Sequence, residues 1–324
     1  MSKNIAILCG GNSSEFEISI KTADQIIKSL KNNEEFNFLK VIIKFDDWEV
    51  LYNDKNYKIN KKDFTFEVDS SVIKLDLVLP FVHGTPVEDG KLQNYFDILG
   101  IKYISTSSFI SALTFNKYYC NKLLSSFGLN IAKSVLITDL ENIDIDYISN
   151  YISYPCFVKP NNSGSSFGVS KVKNKKDLLS AIKKAFLEGG EVIIEEFLDG
   201  IEVTQGFFVS NIRKIIMPII EISSSSSEFF DFEAKYTDGI TEEIIPARIN
   251  TEIEKKCYEV TEKISNIFQF KNFVRVDYIL KEDKVYILEI NTIPGMTENS
   301  LIPKAIKYIN LELKDLIFEI IKYS

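Results

Sequence analysis

Histidine is nearly absent from the sequence, which has His83 alone in 324 residues. A metal site built from several histidines is therefore excluded, and hard-metal chemistry falls to carboxylates. Cysteine is also scarce, and its positions form no C-x-x-C pair. We expect neither a zinc cluster nor a disulfide framework, and a reducing cytosol fits these scattered thiols: Cys9, Cys120, Cys156 and Cys257.

Long apolar runs are missing as well. The N-terminus has a five-residue apolar run before Gly10 and Gly11, which is too short for the core of a signal peptide. No later run approaches the roughly 18 apolar residues that a membrane-spanning helix needs. We therefore expect a cytoplasmic chain that is neither exported nor inserted in a membrane.

Blocks of basic residues are also absent. The chain has 38 Lys and Arg against 46 Asp and Glu, a formal net charge of −8, which argues against a nucleic-acid partner but allows a small anion such as a nucleotide to bind locally. The hydrophobic fraction of 45% and the charged fraction of 26% are typical of a globular protein. The length predicts about two or three domains, and no internal repeat is apparent.

Strands and helices alternate in the first hundred residues. Apolar segments at 5–8, 40–45 and 75–82 predict strands, and Ser14 with Glu17 predicts a capping box that opens a helix through about residue 30. A second helix is predicted to end at Gly100. This alternation predicts a parallel sheet covered by helices.

The later segments are mixed. They include one helix over 108–127, two short strands joined by NNSGSSFG, and a helix that ends at Gly189 and Gly190. A strand at 191–198, a hairpin over 202–222, a helix at 251–268 and a second hairpin with a KED turn follow.

The last hairpin, FVRVDYIL and KVYILEIN, has the most specific polar pattern. Arg275 and Asp277 are two residues apart and share one strand face, as do Glu289 and Asn291. Pairing of the two strands would bring all four side chains together. Carboxylate and amide oxygens suit Mg²⁺, which completes its shell with water and substrate phosphates. The alternative is a solvated outer face of an ordinary hairpin.

The segment NNSGSSFG follows the strand CFVKP. Its glycines, Gly164 and Gly168, and the serines between them can fold over a polyphosphate, while Lys159 supplies a cation. It is not a Walker loop, because the G-K-[ST] ending is absent. A plain flexible turn is the alternative interpretation.

Several single residues give weaker signals, and each also has an ordinary structural explanation. Glu15 lies in the first turn of a helix, where the helix dipole favours a carboxylate. His83 follows a strand at the carboxyl end, where open α/β sheets bind ligands. Lys117 lies on a lysine-rich helix, and Glu202 follows an apolar strand. Lys235 and Tyr236 lie in a polar loop.

Five motifs occur in one order along the chain: GGNSSEFEIS, HGTPVEDG, VKPNNSGSSFGVSKV, EAKY, and VRVDYIL with LEINTIPGMTENSL. Together they resemble the D-alanine:D-alanine ligase family of the ATP-grasp superfamily over essentially the whole chain. The resemblance implies a mixed α/β and α+β chain with the ATP-grasp fold. It implies an N-terminal Rossmann-like substrate-binding domain (1–105), a central lid domain (106–197) and a C-terminal catalytic domain (198–324), with ATP between the last two.

The resemblance also implies ligands for ATP and for two Mg²⁺ or Mn²⁺ ions. The metal ligands would be Asp277, Glu289 and Asn291. Lys117 and Lys159 would contact the phosphates. The strand end Glu195, Glu196, Phe197 and Leu198 would follow the adenine, and Glu202 would bind the ribose.

For the amino-acid substrates, the resemblance implies two D-alanine subsites. The first would have its amine toward Glu15, its methyl group near Ile18 and its carboxylate near His83 and Arg275. Ser300 and the backbone of Leu301 would receive the carboxylate of the second. Glu15, Ser165 and Tyr236 would form a hydrogen-bonded triad. Lys235 would lie near the transferring phosphoryl group, and the Gly295 backbone would donate to the oxyanion.

The implied activity is ATP-dependent formation of D-alanyl-D-alanine through an acyl phosphate, for peptidoglycan synthesis, by a homodimer. Tyr236 favours an amine nucleophile, since similar ligases that accept D-lactate usually have Phe there. The alternatives are a D-alanine:D-lactate or D-alanine:D-serine ligase and a non-catalytic nucleotide-binding regulator. Two positions depart from the common family pattern: Asn116 replaces an Asp, and Val87 replaces a Gly.

Overall fold

The computed structural model describes residues 2–30, 34–164, 167–224 and 241–323. Its strands are β1 Lys3–Gly10, β2 Phe36–Lys44, β3 Asp47–Tyr52, β4 Lys55–Lys58, β5 Thr65–Val68, β6 Ser71–Lys74, β7 Leu77–Pro80, β8 Asn130–Ile131, β9 Ser134–Ile137, β10 Cys156–Pro160, β11 Ser170–Val172, β12 Val192–Glu196, β13 Ile201–Val209, β14 Lys214–Ser224, β15 Thr241–Ile244, β16 Asn272–Lys281 and β17 Lys284–Asn291. Its helices are α1 Phe16–Ser29, α2 Lys91–Leu99, α3 Ser108–Phe115, α4 Lys117–Ser126, α5 Ile145–Tyr151, α6 Lys175–Gly189, α7 Thr251–Phe268, α8 Leu301–Tyr308 and α9 Leu313–Lys322.

The N-terminal sheet has the order β4-β3-β2-β1-β7. β1 pairs in parallel with both β2 and β7, as the alternation of strands and helices predicts. β3 and β4 extend the sheet in antiparallel pairing, and they were not predicted. Their turn, Asn53 and Asp54, has two positive φ angles of 48° and 59°, as tight hairpin turns require.

The start of α1 differs from the prediction. The prediction of a capping box is wrong, because the N-cap residue is Glu15 and no side chain caps the helix. The Ser14 hydroxyl instead donates a hydrogen bond to Glu188 at the end of α6, with an O···O distance of 3.2 Å. Ser13 Oγ accepts from the Glu15 backbone N–H (3.2 Å) and donates to the His83 carbonyl (2.8 Å). Long-range contacts therefore replace the local cap.

The predicted helix over 108–127 is two helices, α3 and α4. The chain leaves helical geometry at Asn116, where ψ is 97°, and the Asn116 side chain accepts the Tyr119 backbone N–H at 3.0 Å. Asparagine at such a position caps a new helix because its short side chain satisfies an otherwise unpaired donor. Lys117 therefore stands at the first residue of α4.

The other two main sheets lie on either side of the candidate site. The four-stranded sheet has the antiparallel order β11-β10-β12-β9, and the six-stranded sheet has the order β15-β14-β13-β16-β17-β8. α6 packs on the four-stranded sheet, and α7 packs on the six-stranded sheet. In the described part of the chain, no helix is long and apolar enough to cross a membrane.

Candidate active site

A cavity of about 270 Å³ opens between the four-stranded and six-stranded sheets. Residues of β10 and β12 line one side of it, and residues of β16 and β17 line the other. These lining residues include the following predicted site residues: Lys117, Lys159, Glu195, Glu196, Phe197, Leu198, Glu202, Asp277 and Glu289. Residues far apart in the sequence thus meet at one cavity.

The acidic side of the cavity has the predicted strand pairing. Asp277 is the direct cross-strand partner of Glu289, and Arg275 is the partner of Asn291. The Arg275 guanidinium donates two hydrogen bonds to the Asp277 carboxylate, at 2.9 and 2.8 Å. Thr204 on β13 donates a further hydrogen bond to Asp277 at 2.5 Å. A polar residue of a third strand therefore supports this pair, and nothing in the sequence predicted it.

Two cations lie close to Glu289. Lys117 Nζ is 3.7 Å from one carboxylate oxygen, and an Arg275 nitrogen is 3.8 Å from the other. Lys117 Nζ also donates a hydrogen bond to the Ser163 carbonyl at 2.6 Å. The Lys117 ammonium group thus lies between the Glu289 carboxylate and the glycine-rich loop.

The opposite wall holds a buried ion pair. Lys159 on β10 contacts Glu195 on β12 at 2.5 Å, and both side chains are buried. Asn121 on α4 donates a second hydrogen bond to Glu195 at 3.0 Å. A buried ion pair of this kind needs full hydrogen bonding to offset the cost of desolvation. Asn121 is a residue that sequence reasoning missed, since only the fold brings it to Glu195.

A second group of predicted residues lies around Glu15, which is buried. A Cβ at Gly164 would lie 2.4 Å from a Glu15 carboxylate oxygen, and a Cβ at Gly84 would lie 2.8 Å from Ser13. Gly84 also has a positive φ of +74°, so a side chain would be strained there, whereas a side chain at Gly164 would require the Glu15 carboxylate to move. A Cβ at Gly84 would lie 3.8 Å from a Glu15 carboxylate oxygen. The loop after β10 and the loop after β7 therefore both reach the carboxylate of Glu15.

His83 is buried in the same group. Its Nε2 lies 3.3 Å from the Thr22 hydroxyl. Burial lowers the pKa of His83 below its ordinary value of 6.5, although the Glu15 charge and a hydrogen bond with the Ile293 backbone oppose this shift. Arg275 adds to the lowering. The imidazole is therefore uncharged at neutral pH and available as a hydrogen-bonding group.

Glu88 is a buried carboxyl group that sequence reasoning missed, although it lies inside the motif HGTPVEDG. Its side chain accepts the Gly84 backbone N–H at 2.6 Å. Burial raises the pKa of Glu88 to about 8, and the nearby charge of Glu15 adds to this increase, whereas Lys117 opposes it. Glu88 is thus a buried carboxyl group that keeps its proton at neutral pH.

The substitution Glu88→Gln is expected to remove a pH dependence of stability. Above the ordinary pKa of 4.5, the unfolded chain ionises at this position while the folded chain keeps its proton, so rising pH favours unfolding until the folded pKa of about 8 is passed. Between about pH 5 and about pH 7, the free energy of unfolding of the unchanged protein should fall relative to the variant by about 2–3 kcal/mol. Denaturant titrations of both proteins at both pH values measure this difference. An equal change in the free energy of unfolding of the two proteins would contradict the prediction.

The two departures from the family pattern are accommodated locally. Val87 is fully buried in the core, and its φ is negative, so the position needs no glycine. Asn116 caps α4 with its side-chain oxygen, which an Asp would do equally well.

The remaining predicted residues lie elsewhere in the chain or beyond the described part. Ser300 precedes α8, and its hydroxyl accepts the Thr297 backbone N–H at 3.1 Å. A Cβ at Gly295 would lie 2.8 Å from Ser300 Oγ, so these two residues are close. Ile18 on α1 and Leu301 on α8 are half-buried. The predictions for three residues lie outside the described ranges: Ser165, Lys235 and Tyr236.

The oxygen donors at the hairpin fit a magnesium or manganese ion. Asp277 and Glu289 supply carboxylates on facing strands, and Asn291 supplies an amide oxygen one pair further along. That amide oxygen accepts the Ile293 backbone N–H at 3.0 Å, which orients it. Hard oxygen donors with room for substrate phosphates are the usual environment of Mg²⁺.

Two sheets that enclose a cleft lined by lysines and carboxylates are the arrangement of the ATP-grasp class, and solved structures confirm the predicted fold. The VanG D-Ala:D-Ser ligase from Enterococcus faecalis has a TM-score of 0.87 and 32% identity, covering 100% of this chain and 99% of that one. The D-alanine–D-alanine ligase from Bacillus anthracis complexed with ATP has a TM-score of 0.77 and 25% identity, covering 99% and 96%.

The chain belongs to the D-alanine–D-alanine ligase family. Residues 4–106 match the family model of the D-ala D-ala ligase N-terminus, and residues 123–322 match that of the C-terminus. A D-alanine–D-alanine ligase from Parabacteroides distasonis is 44% identical over 99% of this chain and 97% of its own length. One from Phocaeicola vulgatus is 41% identical over 99% of both chains.

Proposed function

We propose that the chain joins two D-alanines in an ATP-dependent reaction and so supplies D-alanyl-D-alanine for peptidoglycan synthesis. The observation that carries this proposal is a single cavity in which Lys117 and Lys159 face Asp277 and Glu289, in a chain of this family. The proposed site is that of a ligase rather than a passive nucleotide-binding protein, because its acidic and cationic groups are both retained.

The cavity supports a position for ATP. The two lysines would bind the phosphates, the chain at 195–198 would lie along the adenine, and Glu202 would bind the ribose. Asp277, Glu289 and Asn291 would hold two Mg²⁺ or Mn²⁺ ions. When bound, these ions supply positive charge that offsets the charge of the phosphoryl oxygens.

The reaction has two steps. The carboxylate of the first D-alanine attacks the γ-phosphorus of ATP, and ADP leaves, which gives an acyl phosphate. The amine of the second D-alanine then attacks the acyl carbon, loses a proton, and phosphate leaves. Arg275 and Lys235 would offset phosphoryl charge in the first step, and Arg275 with the Gly295 backbone N–H would stabilise the oxyanion in the second.

The residues around Glu15 would bind the substrates and exclude water. Glu15 would face the amine of the first D-alanine, with Ile18 beside its methyl group and the uncharged His83 beside its carboxylate. Ser300 and the Leu301 backbone would bind the second D-alanine. Ser165 and Tyr236 would connect Glu15 to the covering loops, since an acyl phosphate must be protected from water.

A coupled assay of ADP release tests the proposal. With Mg²⁺ and ATP, D-alanine should support turnover that L-alanine does not, and the product should be the dipeptide. The similarity to a D-Ala:D-Ser ligase makes D-serine the second candidate, so mixtures of D-alanine with D-serine and with D-lactate are included. Product formed only in one of those mixtures would replace the proposed activity with the corresponding ligase activity.

We also propose three domains (1–105, 106–197 and 198–324) and a cytoplasmic location. Each proposed domain contains most strands of one main sheet, which supports the division. The location is supported by four buried cysteines that form no disulfide, as expected in a reducing compartment.

A homodimer is the proposed assembly, and α2 with α3 is the proposed contact. These two helices touch each other and expose Ile98 (83%) and Phe109 (71%). We expect Ile98→Glu to convert a dimer into monomers in analytical ultracentrifugation, because a buried charge at a contact is unfavourable. Leu187→Glu, at an exposed position (89%) near the end of α6, is the matched control and should leave the dimer intact. A dimer that survives Ile98→Glu would place the contact elsewhere.

A further inference from the structure

Asn161 joins three elements at the base of the glycine-rich loop. It follows β10 directly and has no exposed surface. Its side-chain NH₂ donates to the Glu191 carboxylate at 2.8 Å, and its backbone N–H donates to the Glu191 carbonyl at 2.9 Å. Its two oxygens accept hydrogen bonds from the start of α4. The residue is therefore fully engaged without lining the cavity.

The contacts with α4 replace an ordinary helix cap. The first backbone N–H groups of a helix have no partner inside the helix. Asn116 satisfies only the third, that of Tyr119. The Lys117 N–H donates to the Asn161 carbonyl at 3.1 Å, and the Tyr118 N–H donates to the Asn161 side-chain oxygen at 2.9 Å. A residue 43 positions further along thus caps α4.

This cap fixes two parts of the nucleotide cavity relative to each other. Lys117 is the first residue of α4, and its Nζ contacts the Ser163 carbonyl, two residues after Asn161. Asn121, one turn later on α4, holds Glu195 against Lys159. A displacement of the start of α4 would therefore move the cations of both walls.

We propose that Asn161 is a positioning residue for the nucleotide: it holds the Lys117 end of α4 against the glycine-rich loop, so that both lysines face the phosphates. The identity of the nucleotide as ATP rests on the proposed function. Asn161 touches no substrate. Its effect is exerted through Lys117 and the loop.

Asn161→Asp tests this role with almost no change in shape. The Asp side chain still accepts the Tyr118 N–H, but it places a carboxylate oxygen where the NH₂ group faced Glu191. Two carboxylates, the one at position 161 fully buried, would then face each other without a donor between them, and their repulsion should displace the residue that caps α4. We therefore expect the affinity for adenylyl imidodiphosphate with Mg²⁺, measured by calorimetry, to fall about tenfold or more. The KM for D-alanine should change less than the affinity for the nucleotide.

Two further variants separate positioning from general damage. The pair Asn161→Asp with Glu191→Gln returns a donor to the new carboxylate but loses the hydrogen bond from Asn162, which donates to the same Glu191 oxygen. The nucleotide affinity of this exchanged pair should therefore recover in part, to a value above that of Asn161→Asp alone. Asn162→Asp is the matched control, since Asn162 also donates to Glu191, at 3.1 Å, but is only half-buried and has no described hydrogen bond to α4. It should retain nucleotide affinity.

Four results would overturn the inference: unchanged affinity in Asn161→Asp, an equal loss in Asn162→Asp, no recovery in the exchanged pair, or an equal change in the KM for D-alanine. If Asn161→Asp does not fold, the folded exchanged pair decides, because high affinity supports the inference and low affinity refutes it. Nucleotide binding without dipeptide formation by the unchanged protein would refute the proposed function alone, since the affinity series does not depend on turnover.

Discussion

Glu289→Gln is expected to reduce ADP release by about three orders of magnitude, because it removes one of two facing carboxylates while keeping the shape of the side chain. Glu289 faces Asp277 across the hairpin and lies within 4 Å of both Lys117 and Arg275. A neutral amide leaves these cations in excess and provides a much weaker oxygen ligand for a divalent ion. We therefore expect the effect in turnover and not in the fold.

The measurement has an independent binding readout. In the unchanged protein, Mg²⁺ should strengthen binding of an ATP analogue, and in Glu289→Gln that strengthening should be lost. Glu282→Gln is the matched control, because Glu282 lies in the exposed turn of the same hairpin. Turnover of Glu289→Gln within about tenfold of the unchanged protein would contradict the metal assignment.

The hairpin that carries this prediction could be read from the sequence because strand geometry has a period of two. Alternation in FVRVDYIL and KVYILEIN places Arg275 with Asp277 on one face of the first strand and Glu289 with Asn291 on one face of the second. The turn alone would pair Asp277 with Leu288, because the pairs next to the turn run from Lys281 with Lys284 to Tyr278 with Ile287. A shift of one residue between Asp277 and Tyr278 brings Glu289 opposite Asp277 and Asn291 opposite Arg275, and the sequence did not predict this irregularity.

Residues that act over long sequence distances could not be predicted in the same way. The local pattern favours a capping box at Ser14, but the Ser14 hydroxyl reaches Glu188 instead. The same holds for the break between α3 and α4, which is stabilised by Asn161. Thr204 and Asn121 reach the site only because β13 pairs with β16 and α4 packs near β9 and β12. Sequence periodicity has no information about such neighbours.

A large loss of stability is expected when Gly10, the first of the adjacent glycines Gly10 and Gly11, is replaced. Gly10 ends β1 with φ at +89°, and a Cβ there would lie 2.4 Å from the Ile43 carbonyl oxygen and 3.0 Å from the Phe16 ring. The Gly11 N–H donates to that same carbonyl at 2.8 Å. Backbone atoms of a paired strand cannot move away cheaply. Gly10→Ala is therefore expected to lower the free energy of unfolding by about 4 kcal/mol or more.

Gly100→Ala separates the steric part of this effect from the conformational part. Gly100 also has a positive φ, +65°, but a Cβ there would have no neighbour within 4 Å. The cost at Gly100 should be only that of the left-handed backbone, about 1–2 kcal/mol. Denaturant unfolding of both variants gives the difference. Equal losses would mean that β2 yields at Ile43, and the approach of β1 to the start of α1, on which the position of Glu15 depends, would then be less rigid than the packing indicates.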